Sequence, residues 1–315
     1  MGTKSVGEVF RHSPPAHTYS SGNILIDQST RLGVEFEFEG VTRLPEPSQT
    51  YNSLWTNKED GSLRGAGREF VFSVPLFGKD AENAISWMIG EASRLKYKTS
   101  VRTGLHVHLD VRELTPEQFV QFSMIYALAE PFLFWWIGKH REESAFCVPW
   151  YYATKTLKSV GNIVKQVKEE NPVAKQFSDV FERYSALNFN ALSRFGSVEF
   201  RHMEQTLNLN KIFAWINLLL AIKQQAIKGP LPSKALVDPY TFLVTVFKDR
   251  AEELRDFTRE ALPTAFLKGK KTYISLQSDL KTTVGAWGEQ QPAAQAQHPD
   301  QWVYILNGGA VRNNF

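Results

Sequence analysis

Cysteine is nearly absent from this 315-residue chain: Cys147 stands alone, so no intrachain disulfide can form, and such usage suits a reducing compartment. An excess of charge of one sign is also missing. The 36 basic residues are offset by 33 acidic ones, leaving a net charge of +3 with no concentrated basic block, which argues against a nucleic-acid partner. Long apolar runs are lacking too. FLFWWIG from Phe132 and IFAWINLLLAI from Ile212 fall short of the roughly 20 residues that span a bilayer, so both read as buried helices and no membrane partner is expected. The N-terminal MGTKSVGEVFRHSPP lacks the apolar core of a signal peptide, and Val6 stands where a myristoylation signal has Ser or Thr. A cytoplasmic location is the expectation. Finally, no G-x-x-x-x-G-K-[ST] phosphate loop occurs, and Gly65-Ala66-Gly67 is too short a glycine signal to replace one.

What is present suffices for a large core: 43% of residues are hydrophobic and 13% aromatic, enough for one large domain or two smaller ones. Residues 1–30 are polar and punctuated by Pro and Ser, and read as an N-terminal arm; 31–228 form the core, and 229–315 a C-terminal helical extension with a low-complexity loop, GEQQPAAQAQHPDQ from Gly288, before a strand-like WVYIL. Period-2 alternation predicts strands at 33–39, 68–74, 104–112 and 196–202. Helices are expected over ENAISWMIGEASRL, after Thr115 with Pro116 at the first helical position, from an Asn210 cap through Ile227, and over 236–268. Pro131 should kink the second of these.

The strands become informative when read face by face, because successive side chains alternate sides at about 3.3 Å per residue. In GVEFEFEG, Val34, Phe36 and Phe38 point one way and Glu35, Glu37 and Glu39 the other. In REFVFSV, Phe70, Phe72 and Val74 oppose Glu69 and Ser73. In GLHVHLDV, Leu105, Val107, Leu109 and Val111 oppose His106, His108 and Asp110; in GSVEFRHM, Val198 and Phe200 oppose Glu199 and Arg201. One wet face is ordinary in an antiparallel sheet. A solvated face, however, mixes Thr, Lys, Gln and Ser, whereas the first strand offers glutamate alone. Neighbouring carboxylates about 7 Å apart repel by roughly 2 kcal/mol at an effective dielectric near 20, so three in a row favour a bound cation or full solvation. Glutamate oxygens with one or two imidazoles suit Mg²⁺ or Mn²⁺. Zinc held by the H-x-H pair is the competing chemistry.

Taken in order, GVEFEFEG, EDGSLRGAGREFVFSVPL, GLHVHLD and RYSALNFNALSRFGSVEFR resemble the amidoligase family, the carboxylate-amine ligases related to glutamine synthetase and glutamate-cysteine ligase; the resemblance covers about residues 31–228. It implies an α+β fold with a curved, mostly antiparallel sheet like the glutamine synthetase catalytic domain, backed by helices. It further implies ATP as cosubstrate and two Mg²⁺ ions, with Mn²⁺ possible. Glu35 and Glu37 would each serve one ion, Glu69 joining one of them, and His106 with Glu199 joining the other. His108 would reach the ATP γ-phosphate, Arg201 would neutralise the phosphoryl oxygens, and Asn188 would lie near nucleotide or substrate. Asp60, in the turn Glu59-Asp60-Gly61-Ser62, would hold the attacking ammonium and help take its proton; an ordinary D-G turn is the plain reading of the same residues. Glu39 has no counterpart in the family pattern.

The implied reaction is ATP-dependent amide-bond formation through an acyl phosphate, joining a small-molecule or peptide amine to a carboxylate in a cytoplasmic, bacterial or phage setting. Two other readings remain open at this stage: a zinc-dependent hydrolase using His106, His108 and Glu199, and a non-catalytic binding protein that keeps the fold. Cys147 reads as a buried hydrophobe, and most of the aromatic cluster Phe132, Phe134, Trp135, Trp136, Trp150, Tyr151 and Tyr152 as core.

Overall fold

The computed structural model describes residues 4–12, 25–27, 30–45, 54–169, 183–254 and 261–284. Its centre is a six-stranded open sheet in the order β2-β3-β1-β4-β6-β5, formed by β1 (Leu32–Phe38), β2 (Trp55–Glu59), β3 (Arg68–Phe72), β4 (Gly104–Asp110), β5 (Leu187–Asn188) and β6 (Ser197–Glu204). Every ladder between neighbouring strands is antiparallel. The fold is therefore mixed α and β on an antiparallel sheet. The four strands expected from alternation are present within two residues of their expected ends. β2 (WTNKE) and β5 (LN) were not anticipated: the first carries almost no apolar periodicity, and the second is too short to show any.

The alternation sorts the two faces as the pattern demands. Val34, Phe36, Phe38, Phe70, Leu105, Val107, Leu109, Val198 and Phe200 have no exposed surface, and each such side chain contributes about 1.5–3 kcal/mol by leaving water. Val74 departs from the pattern and is exposed, because β3 stops at Phe72. Sharing one hydrophobic core with this face are the longer helices α2 (Gly78–Ala92), α3 (Pro116–Ile137), α4 (Thr154–Lys168), α5 (Leu209–Lys228), α6 (Pro239–Phe247) and α7 (Ala261–Val284), which follow a short α1 (Val6–Val9). Helix α3 is the hub, in contact with α4, α5, α7 and β6. Thr115 opens it with a capping box, its hydroxyl accepting from Gln118 N–H at 3.2 Å while the Gln118 side chain accepts from the Thr115 N–H at 2.9 Å. The helix runs on through Pro131 and ends at Gly138. By length and composition it could cross a membrane, yet most of it is buried inside the fold, as a core helix is.

Some boundaries differ from expectation. Asn208, not Asn210, caps α5, its Oδ1 accepting from Lys211 N–H at 3.1 Å. The stretch 236–268 is two helices, α6 and the start of α7, with a 3-10 turn from Lys248 to Leu254 after the first. Residues of the N-terminal stretch join the core: Val6 and Ile26 are fully buried, and Val6 N–H reaches Leu114 O at 2.7 Å. The loop from Gly288 and the WVYIL segment lie outside the described residues. Cys147 is buried, which pushes its thiol up to about 12 and makes it inert. Of the aromatic cluster, Phe132, Phe134 and Trp150 are core, while Trp135 and Tyr152 are exposed.

Within α3 lies a fully buried carboxyl, Glu130. Tyr126 Oη stands 2.5 Å from it, and Trp150 N–H lies 2.9 Å from each of its oxygens. Burial pushes Glu130 up to about 8, against the pull of these hydrogen bonds. The folded protein therefore keeps a proton that the unfolded chain releases near pH 4.5. This contribution is fully present below that pH and is lost as pH rises toward about 8, with a slope of at most about 1.4 kcal/mol per pH unit. Urea denaturation between pH 5 and 8 should show this slope in the wild type and a flatter dependence in Glu130→Gln; equal slopes would contradict the assignment.

Candidate active site

The polar face of the sheet carries charge in rows set by the strand register. Glu37 of β1 pairs with Glu69 of β3, and Glu69 in turn with Lys58 of β2. One row further, Glu35 stands opposite His106. In the next, Gly33 stands opposite His108, His108 opposite Glu199, and Glu199 opposite Asn188. The expected residues of four separate segments thus meet on one surface.

Three of them converge. One donor atom each from Glu35, His106 and Glu199 lies within 4.8 Å of the others, and His106 Nδ1 sits 3.2 Å from Glu35 Oε2 and 3.3 Å from Glu199 Oε1. Two carboxylate oxygens and an imidazole nitrogen at this spacing fit a hard divalent cation. The other ring nitrogen of His106 faces Glu37 Oε2 at 3.5 Å, so the ring separates Glu37 from the trio. Glu37 also accepts from Gly104 N–H at 2.7 Å. This close approach needs glycine: a Cβ at 104 would lie 2.7 Å from His106 Nε2 and 3.2 Å from Glu37 Oε2.

His108 stands outside the trio. Its Nε2 pairs with Glu35 Oε1 at 2.9 Å and its Nδ1 with Ser197 Oγ at 3.3 Å. The two histidines of H-x-H thus make different contacts, and only His106 belongs to the converging trio among the described residues. Asn188 Nδ2 donates to Glu199 Oε2 at 2.8 Å, fixing that carboxylate from behind. Arg201 pairs with the other oxygen, Glu199 Oε1, and reaches Phe146 O at 3.4 Å. Asp60 accepts from Ser62 N–H at 2.7 Å within its own turn. Its link to the cluster is through charge, since it raises Glu69.

Electrostatics divides the carboxylates by role. Burial disfavours the charge on Glu35, but hydrogen bonds with His106 and His108 outweigh it and hold Glu35 well below the usual range. Burial likewise opposes ionisation of Glu199, and the positive field of Arg201 prevails and lowers it. At Glu37 burial dominates and the carboxyl is raised; at Glu69 burial and repulsion from Glu35 act together in the same direction. His108 loses by burial and gains more from Glu35, so it is lifted above its ordinary value. Arg201 is held charged by Glu199, Glu37 and Glu35 against its own burial.

A groove of about 350 Å³ opens from the His108 side. Its lining includes Gly33 and Glu35 of β1, Val71, Ser73 and Val74 in and after β3, His108 of β4, and Phe195 and Ser197, with Arg31, Lys58 and Arg112. Phe195 and Val74 are exposed, at 62% and 51%. Phe195, Ser197 and Glu39 were not singled out from sequence as parts of the site. Glu39 is buried and accepts from Arg64 N–H at 2.9 Å, which ties the 60–67 loop to the end of β1. The one available signal was its place in the glutamate alternation.

Residues 75–223 match the model of a family described as "putative amidoligase enzyme". The match supports an amidoligase assignment for this segment. It includes His106, His108, Asn188, Glu199 and Arg201; Glu35, Glu37, Asp60 and Glu69 precede it, and the three glutamates join the matched segment through the sheet. Comparison with the curated proteins returned no match.

The division of charge yields opposite outcomes for two similar substitutions in metal-free protein. Glu37→Gln relieves a raised carboxyl while keeping an acceptor for Gly104 N–H, and should stabilise by about 1 kcal/mol; Glu35→Gln removes the partner of two histidines and should cost about 1–2 kcal/mol. Urea titrations in EDTA at pH 7 measure both, and shifts of the same sign would refute the division.

Proposed function

We propose that this protein is an ATP-dependent carboxylate-amine ligase acting through an acyl phosphate, on a fold related to the catalytic domain of glutamine synthetase. The observation that carries the reading is the convergence of Glu35, His106 and Glu199 within 4.8 Å on an open sheet whose central segment matches an amidoligase family. Glu35, His106 and Glu199 would hold one Mg²⁺ ion, and Glu37 with Glu69 would serve a second. Bound there, the ions supply charge neutralisation for the triphosphate, which would otherwise repel an attacking carboxylate. Mn²⁺ fits the same donors.

The chain's own residues supply the rest. The groove beside His108 takes the nucleotide, with Phe195 and Val74 flanking the base and His108, paired with Glu35 and raised above its ordinary value by it, facing the γ-phosphate. Arg201 offsets the charge of the phosphoryl oxygens as a carboxylate oxygen of the acid substrate bonds to the γ-phosphorus and the bond to ADP breaks. Asn188 keeps Glu199 oriented during this step. Asp60 holds the amine substrate as its ammonium and takes the proton that frees its lone pair. The amine nitrogen then bonds to the acyl carbon, the carbon–oxygen bond to phosphate breaks, and inorganic phosphate leaves. The substrates are a small-molecule or peptide amine and a carboxylate, and the single buried thiol is compatible with a cytoplasmic setting.

Thermal melting with ATP and MgCl₂, separately and together, tests the reading. At about 100 times its dissociation constant the metal-nucleotide complex should stabilise the fold by roughly 2.7 kcal/mol. Glu35→Gln should abolish that shift, and Phe195→Ala should weaken ATP about tenfold, in line with the worth of an aromatic stacking contact. Stabilisation by Zn²⁺ alone, with no response to Mg²⁺ and ATP, would sink the ligase reading.

A further inference from the structure

A second arginine, Arg141, holds the backbone of the strand that carries Arg201. Opposite His106 of β4, strand β6 carries two residues where one would pair: Leu105 aligns with Met203 and Val107 with Phe200, so Arg201 and His202 form a bulge. A bulge leaves backbone groups without ladder partners and re-aims the side chains it carries. Here one side chain goes to each face. Arg201 turns to the site and pairs with Glu199, while His202 turns into the core, fully buried, its Nε2 2.9 Å from Tyr126 Oη.

The carbonyls of both bulge residues go to Arg141, which is 2% exposed and lies in a short helix, Lys139–Glu142, after Gly138. Its Nε donates to His202 O at 2.8 Å and its Nη2 to Arg201 O at 3.0 Å, while Nη1 donates to Val101 O at 3.2 Å, just ahead of β4. One planar guanidinium thus fastens the extra residue of β6 to the turn that starts β4. The rigid fork is what allows it, and a lysine ammonium on a flexible stem could not hold three carbonyls in this geometry. The Arg201 N–H is anchored separately, to Ala186 O at 2.9 Å.

We propose that Arg141 is a positioning residue for Arg201: by holding the carbonyls of the β6 bulge it aims the Arg201 guanidinium at Glu199 Oε1, the oxygen that faces His106 in the cation-binding trio. The inference rests on the cation-site reading above. Arg201 occupies an oxygen that a divalent ion also needs, and its charge opposes a dication, so the aim of Arg201 sets how readily the trio takes an ion. Tyr126 secures the same bulge from the core side through His202.

The test is Mn²⁺ affinity, read from the free-ion electron paramagnetic resonance signal well below the melting temperature, without nucleotide. Arg201→Gln should bind Mn²⁺ about tenfold more tightly than wild type. Arg141→Lys keeps the charge and loses the fork; it should tighten Mn²⁺ about threefold or more, and the double variant should match Arg201→Gln alone, because the first change acts only through Arg201. If Arg141→Lys does not fold, Tyr126→Phe takes its place with the same expected coupling. An affinity unchanged from wild type in spite of a lowered melting temperature, or effects that simply add, would overturn the proposal and leave Arg141 a purely structural residue. A wild type that binds no Mn²⁺ would instead overturn the cation site itself, and this inference with it.

Discussion

Everything on the polar face follows from the cost of gathering carboxylates out of water. Glu37 and Glu199 are buried and Glu35 nearly so, within one side-chain length of each other on neighbouring rows of one sheet. Left alone they would repel and, at this burial, take up protons. The structure prevents that at two of them by placing His106 and His108 against Glu35 and Arg201 against Glu199, so both stay ionised. It leaves the repulsion standing at Glu37 and Glu69, whose carboxyls are raised. The surface therefore keeps two raised carboxyls, at Glu37 and Glu69, whose ionisation additional positive charge would favour.

The same constraint explains features of the fold that would otherwise look incidental. Antiparallel pairing of β1 with both β3 and β4 is what lines up Glu69, Glu37, Glu35 and His106 across three strands. Gly104 exists because a side chain there would occupy the space of His106 and Glu37. The bulge in β6 sets Arg201 and His202 together opposite His106, Arg201 facing the carboxylates and His202 anchored in the core. Behind the sheet, the apolar halves of the same strands lock onto α3, so the rows cannot slip by one residue without moving every carboxylate to the wrong side.

Much of this was legible in the sequence, for a physical reason. Where a strand buries one face and charges the other, period-2 alternation reports both the strand and the direction of each side chain, so Glu35, Glu37, Glu69, His106, His108, Glu199 and Arg201 were found together. What alternation cannot report is register and irregularity. It could not say that His108 would pair with Glu35 outside the trio, nor that two residues would face His106 on β6. Arg141 lies in a short helical turn with no periodic signal, Phe195 projects from a turn of helix, and WTNKE has no apolar stripe, so each depends on tertiary contacts that local pattern does not encode. The shift of the α5 cap from Asn210 to Asn208 is of the same kind, two asparagines competing for one helix start.

The claim that matters most is that Glu35, His106 and Glu199 form a ready cation site beside a nucleotide groove. A crystal structure of the protein grown with MnCl₂ and a non-hydrolysable ATP analogue, with anomalous scattering collected at the manganese edge, addresses it directly. The account predicts a manganese peak ligated by Glu35, His106 and Glu199, with the analogue's phosphates beside it and its base between Phe195 and Val74. A peak held by both His106 and His108, or an analogue bound away from the groove, would contradict it.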